Sequence, residues 1–378
     1  MWDKQSTDSH VFFNFLSGMG SVRHKEYLFM RSINFLIAAA ASTVLLSCGP
    51  SKSVSSKAFL EAYSPEESGL NVMKITDENS NIILGSSSSV LTGPSANSGF
   101  VNFAYSIRGG ARQLGFTWNT GRLLSISPDG TEIAYVTRKE KQDNVMIKRS
   151  AALGPSTQRT FRNIYDFSWG KDGNMYFSDA SDGRTQIAST NAHAGSLVRQ
   201  LTTYNNDANP VLTDDGSMLF FTRIDDNGPS IWSLELENGA LTSCARGYNP
   251  AIIPGKTDTF ICVRNTSTGN SEIWMVNYVL GYETMLLSDK NKGFSNPCVS
   301  PDGNWIVFCG SNKSSVSKKV NLDIYAMKID GTLLTQITYH PGNDCCPVWS
   351  ADGQYIYFIS SRANKGQYYN VWRMRFAM

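Results

Sequence analysis

From residue 124 onward, short apolar runs recur between fixed punctuation. The stretch NPCVSPDGNWIVF at 296–308 is echoed by NPVLTDDGSMLFF from Asn209 and by CPVWSADGQYIYF from Cys346. Leu124, Phe167, Pro210, Pro250, Pro297 and Pro347 hold corresponding places, at intervals of 43, 43, 40, 47 and 50 residues. A period of this length marks a stack of like supersecondary units.

Each unit opens with a short apolar strand such as PCVS. A turn follows: SPDG at 127–130 and 300–303, SADG at 350–353, TDDG at 213–216 and GKDG at 170–173. Proline presets φ, aspartate accepts hydrogen bonds from nearby donors, and glycine supplies positive φ for a tight reversal. Asp129 with Gly130, Asp172 with Gly173, Asp215 with Gly216, Asp302 with Gly303, and Asp352 with Gly353 therefore read as blade turns rather than catalysts. The next strand (LFF, IVF, IYF) is apolar on both faces, so it needs cover on both sides. A third strand carries one large aromatic: Trp232, Trp274, Tyr325 or Trp372. These are expected to pack between neighbouring sheets. The fourth strand, LVRQLT at 197–202 or LLTQIT at 333–338, is polar and rich in threonine, as suits an outer edge.

Four strands per unit, buried faces and this period predict an all-β fold, a β-propeller of four-stranded antiparallel blades over 71–378. The last unit stops after its third strand, so an early segment must close the ring. NVMKIT at 71–76 has the fourth-strand pattern, and NFAYSIRGGARQLGFT at 102–117 resembles a third strand, turn and fourth strand. A degenerate blade in 77–117 would make seven blades, with 71–76 completing the last. This count is slightly favoured. The alternative has six blades, with 102–117 as the closing piece.

The first 48 residues have a different pattern. Met30 and Arg31 precede a short apolar stretch that ends at Ser47-Cys48-Gly49, the layout of a secretory signal. Met30 is the expected start, and 1–47 is expected to be leader and signal. LLSC at 45–48 resembles the bacterial lipobox, which would make Cys48 the lipidated N-terminus and 48–70 a flexible tether. Gly49 in place of aspartate resembles the sorting signal of an outer-membrane lipoprotein, and GPSKSVSSK, which lacks an acidic cluster, favours the periplasmic face. Six further cysteines allow disulfides in an oxidising compartment. Cys262 and Cys309, however, fall within apolar strands and read as small buried hydrophobes. No CxxC spacing points to a metal.

The net charge of +2 provides no general field for nucleic acid or anionic membrane. Membrane contact is expected through the lipid alone.

The repeated SPDG, then DIY or EIW, then QLT or QIT, resembles the WD-repeat-like units of TolB-type propellers. The resemblance covers about residues 71–378. It implies the propeller fold and a role in binding envelope proteins, notably a peptidoglycan-associated partner. TolB-type proteins also carry an α/β domain before the propeller. Here too few residues separate Cys48 from the first candidate strand to supply one.

Little in the sequence points to catalysis. No G-x-S-x-G elbow occurs. GKT at 255–257 lacks the earlier glycine of a phosphate loop. After Cys48 only His193 and His340 remain, both in loop contexts, too few for a three-histidine metal site. No cofactor, metal or catalytic residue is assigned. The residues just before each first strand, Asp166, Asn209, Asn249, Asn296 and Cys346, are expected at one mouth of the channel, with His340 and Asp344 beside them. They are candidates for binding a protein, peptide or cell-wall component. The alternative is a carbohydrate-active enzyme that uses Asp166 with Asp344 as an acidic pair.

Overall fold

Every repeat folds as a meander whose first strand lies innermost. The computed structural model describes residues 65–76 and 121–378, apart from short stretches at 140–141, 151–154, 161, 163, 181–184, 194–196, 204–205, 226, 267–269, 314–319 and 363–368. The signal segment, Cys48 and the candidate blade in 77–117 lie outside the described residues.

Six four-stranded antiparallel sheets form the blades. The first holds β2 (Leu124–Ile126), β3 (Glu132–Lys139), β4 (Gln142–Arg149) and β5 (Thr157–Gln158). The second holds β6 (Ile164–Trp169), β7 (Asn174–Asp179), β8 (Gln186–Asn191) and β9 (Arg199–Gln200). The third holds β10 (Asp207–Leu212), β11 (Met218–Asp225), β12 (Gly228–Glu235) and β13 (Leu241–Arg246). The fourth holds β14 (Tyr248–Ile252), β15 (Thr259–Asn265), β16 (Ser271–Asn277) and β17 (Tyr282–Leu287). The fifth holds β18 (Phe294–Val299), β19 (Trp305–Lys313), β20 (Val320–Lys328) and β21 (Thr335–Gln336). The last runs β22 (Asp344–Trp349), β23 (Tyr355–Ser360) and β24 (Asn370–Arg375), and its outer strand is β1 (Met73–Lys74).

The slight preference for seven blades is corrected. The first blade lies directly against the last: the Tyr357 hydroxyl donates to the Ser150 carbonyl at 3.3 Å, and Lys148 Nζ donates to the Ile75 carbonyl at 2.6 Å. Among the described residues no sheet stands between them, and six blades close the circle. The closing strand falls within 71–76, where Met73 pairs with Arg373 and Lys74 with Trp372.

A recurrent hydrogen bond explains the threonine of the fourth strand. Thr160, Thr202 and Thr338 each accept, on Oγ1, a backbone N–H of the third strand: Val145 at 2.9 Å, Ile187 at 3.0 Å and Ile324 at 2.8 Å. Thr76 does the same for Val371 at 2.9 Å, across the closure. Where the outer strand is only two residues long, this side chain extends the ladder. It thereby satisfies a donor that burial would otherwise orphan.

The turns share one geometry. Ser300 Oγ donates to Asp302 at 2.5 Å and accepts the Trp305 N–H at 2.9 Å, while Asp302 also accepts the Asn304 N–H at 3.1 Å. Gly303 follows with φ 75°, which a Cβ would strain. Ser350, Asp352 and Gly353 repeat the arrangement.

Phe167, Phe177, Phe220, Phe221, Phe260, Phe308 and Phe358 are sealed between sheets. Burial of such a ring stabilises by about 1.5–3 kcal/mol. Of the third-strand aromatics, Tyr325 and Trp372 are buried, while Trp232 and Trp274 are partly buried. A cation covers each: Arg223 lies 4.5 Å from the Trp232 ring, Arg264 4.6 Å from Trp274, Lys292 4.8 Å from Tyr325 and Arg362 5.6 Å from Trp372. Such contacts contribute about 0.5–2 kcal/mol, more where water is excluded.

Candidate functional site

The innermost strands of the second to sixth blades carry a β-bulge at corresponding positions. In four of them the bulge residue adopts the left-handed conformation: Asn209 (φ 54°), Asn249 (φ 50°), Asn296 (φ 51°) and Cys346 (φ 50°). Asparagine is the side chain that tolerates this region best after glycine, which explains its recurrence just before the proline. Cysteine has no such advantage, so Cys346 is held there by its surroundings.

These residues and Asp166 are buried and bonded to one another around the waist of the channel. Asp166 accepts the Asn209 N–H at 2.9 Å, the Asn209 side-chain amide at 2.5 Å, and the Ser178 hydroxyl. Thr222 Oγ1 donates to Asn209 Oδ1 at 2.9 Å and accepts the Asn249 N–H at 3.2 Å. Asn249 Oδ1 accepts the Asn296 N–H at 3.4 Å. Asn296 Nδ2 then donates to the Gly121 carbonyl at 3.2 Å, and Cys346 Sγ lies 3.7 Å from the same oxygen. The series thus runs from the second to the fifth blade and on to Gly121, just ahead of the first, which Cys346 of the sixth also faces. Arg122 spans the channel to the fourth blade, donating from Nη2 to the Pro250 carbonyl at 3.2 Å.

Burial pushes the Asp166 carboxyl up from 3.8 to about 6, against the pull of its three donors and Arg122. The folded protein therefore keeps this proton to higher pH than the unfolded chain does. Its contribution to stability is complete below pH 4 and is lost as pH rises through about 6. Denaturant titrations of the wild type and Asp166→Asn are expected to diverge across this window. The wild type should lose roughly 2–3 kcal/mol relative to the variant. A difference between the two curves that stays constant with pH would count against burial as the governing cause.

Asp344 and His340 lie apart from this series. Asp344 accepts from Arg362 Nη2 at 2.5 Å and from the Ser360 hydroxyl. Arg362 also donates to both oxygens of Glu67, at 2.8 and 3.1 Å. All three side chains of this triad are sealed from water. Burial, with the Glu67 charge close by, raises the Asp344 carboxyl above the usual range. The clasp ties the short helical turn Pro65–Glu67, just ahead of the closing strand, to the last blade. His340 is not the solvated loop residue its context suggests: it is buried, and its Nδ1 accepts the Gly342 N–H at 2.9 Å. His193 is exposed, 3.6 Å from Glu132.

Asp166 and Asp344 occupy different blades and different hydrogen-bond sets, so the structure does not bring them together as an acid–base pair. Cys262 and Cys309 are buried as expected, and the six described cysteines are unbridged. No cluster of metal-ligating side chains occurs among the described residues.

What opens to solvent is a funnel of about 330 Å³ beyond the waist, on the side of the SPDG turns. Its walls are the residues two places after each aligned position: Ile126, Trp169, Leu212, Ile252, Val299 and Trp349. Among the described residues Arg122 is the charged group of its lining that has no ion pair, while Lys171 and Asp214 pair at 2.9 Å. Asn209, Asn249, Asn296 and Cys346, expected at the mouth, lie at the buried waist instead, beneath this funnel. The repeat alignment contains the wall positions, but Arg122 stands outside any repeated pattern.

No family model matches the chain. An uncharacterized protein of Agrobacterium fabrum is 40% identical over 76 residues, which is 20% of this chain and 23% of that protein. The match thus spans about a quarter of that relative. Among solved structures, TolB of Acinetobacter baumannii is similar with a TM-score of 0.52 at 18% identity, covering 60% of this chain and 56% of that one. The chain thus spans just over half the length of that TolB. A candidate TolB of Agrobacterium tumefaciens is similar with a TM-score of 0.52 at 17% identity, covering 68% and 90%. At such identities the likeness is one of fold: the chain is a six-bladed β-propeller similar to those of the TolB structures.

Proposed function

We propose that the protein is a non-catalytic binding or scaffold protein of the cell envelope. In this reading it is anchored by lipid at Cys48, faces the periplasm from the outer membrane, and presents its funnel to a partner protein, peptide or cell-wall component. One observation carries the proposal. Buried, hydrogen-bonded side chains line the waist of the channel, and beyond them opens a largely apolar mouth. The carboxylates that acid–base chemistry would use are committed to structure. A mouth of this kind has the features of a recognition site: apolar walls with a few placed polar groups.

The test is site-specific photocrosslinking of the full chain in cells. Crosslinkers at Pro301 and Ala351, exposed at the funnel rim, are expected to capture one discrete partner. A crosslinker at Leu280, exposed near the outer edge of the fourth blade, should not. Equal capture at all three positions, or release of products from envelope oligosaccharides by the purified protein, would overturn the reading.

A further inference from the structure

The floor of the funnel offers several hydrogen-bond donors. Among the described residues, the Arg122 guanidinium makes one hydrogen bond, to the Pro250 carbonyl, and no ion pair. Arginine has five N–H donors and keeps its charge. Two further lining residues hold buried polar atoms without a partner: the Ser168 hydroxyl and Trp169 Nε1. Ser168 is 5% exposed and Trp169 8%. Lys171 and Asp214 neutralise each other at the rim, so Arg122 is the cation left at the funnel floor, where its charge also acts on the buried Asp166 carboxyl.

Trp169 on β6 and Trp349 on β22 stand at corresponding places in the two blades that flank the first, just past Arg122. Trp349 is held by its Nε1, which donates to the Cys298 carbonyl at 3.1 Å, and by the Phe376 ring at 4.7 Å. One cation beside two indole walls suits a monoanion that carries an apolar group. A phosphate dianion would call for more cations. A sugar acid would place most of its hydroxyls against the apolar walls Ile126, Trp169, Leu212, Ile252, Val299 and Trp349. The volume, at the low end of the roughly 300–1,000 Å³ typical of ligand sites, admits the tip of a chain rather than a folded surface.

We infer that the funnel receives the C-terminus of an extended polypeptide, with its terminal carboxylate on Arg122 and its last apolar side chain against Trp169 and Trp349. This rests on the funnel being the binding face. Arginine meets a carboxylate with two parallel N–H···O bonds, which fixes the direction of entry as well as the charge.

Random tripeptides tethered by their N-termini, made once as free acids and once as C-terminal amides, provide the probe for the full protein. Free acids ending in an apolar residue are expected to be retained, and fluorescence of the wall tryptophans gives their affinities. The amide of each selected sequence should bind at least about tenfold more weakly. Arg122→Gln should bring the acids down to the level of the amides. The acid-against-amide comparison needs no variant, so it stands even if Arg122→Gln perturbs folding. Equal binding of acids and amides, with the rim crosslinks intact, overturns the carboxylate assignment and leaves the binding face standing. Binding of a uronic acid disaccharide in place of any peptide overturns it as well. Loss of both peptide retention and rim crosslinks sinks the inference together with the reading beneath it.

Discussion

Arg362→Met is expected to destabilise the propeller by about 3–5 kcal/mol, because it leaves the carboxylates of Glu67 and Asp344 buried without their cation. The segment ahead of β1 would lose its anchor to the last blade. Cleavage within 65–76 by a nonspecific protease should then precede global unfolding. Combining Arg362→Met with Glu67→Gln and Asp344→Asn removes the stranded charges, and most of the lost stability is expected to return. The neutral side chains can still accept the Tyr339 N–H, which Glu67 accepts at 2.8 Å, and the Ser360 hydroxyl. Urea unfolding of the three proteins measures both halves. An unchanged midpoint for Arg362→Met, or no recovery in the triple variant, would show that the clasp does not hold the closure.

Asn249→Val should be nearly as damaging, through the backbone. Asn249 is buried at φ 50° and supplies the Oδ1 that accepts the Asn296 N–H. A β-branched residue in the left-handed region adds about 1–2 kcal/mol of strain, and an orphaned buried amide about 1–3 kcal/mol. The expected loss is roughly 2–5 kcal/mol. Asn249→Gly loses the same acceptor but fits the backbone, so it should be about 1 kcal/mol or more milder than valine. Equal losses for the two variants would mean that the bulge conformation stores no preference. Chemical denaturation followed by intrinsic fluorescence separates them.

The blades were legible because their signals are local. A Ser-Pro-Asp-Gly turn fixes its own hydrogen bonds, and an apolar run bounded by such turns must be covered on both faces. The closing strand was legible for the same reason, since Thr76 repeats the role of Thr202 and Thr338. The blade count was not, because it depends on which sheet touches the first one. The contact that decides it joins Tyr357 to Ser150, 207 residues apart. The clasp is harder still: Glu67 and Arg362 are 295 residues apart, and neither lies in a repeated position. At the waist, the periodic asparagines were visible, but their left-handed backbone was not. Alignment shows that a residue type recurs. It does not show that the bulge turns the side chain toward the neighbouring blade rather than toward solvent. The funnel walls were present in the same alignment two places on, as ordinary apolar residues. They become distinctive only when six of them meet.

Joining Met73 to Arg373 also sets a timetable. The outer strand of the last blade is among the first described parts of the chain to be synthesised, and its partner is almost the last, 300 residues later. At about 5–20 residues per second, β1 waits roughly 15–60 s for β24 to exist. During that interval the five intervening blades can assemble in sequence, each on its neighbour, while the sixth stays an open edge. Completion of the circle is then a single late event. Any truncation that removes β24 leaves an otherwise finished arc with one sheet exposed for pairing to another molecule.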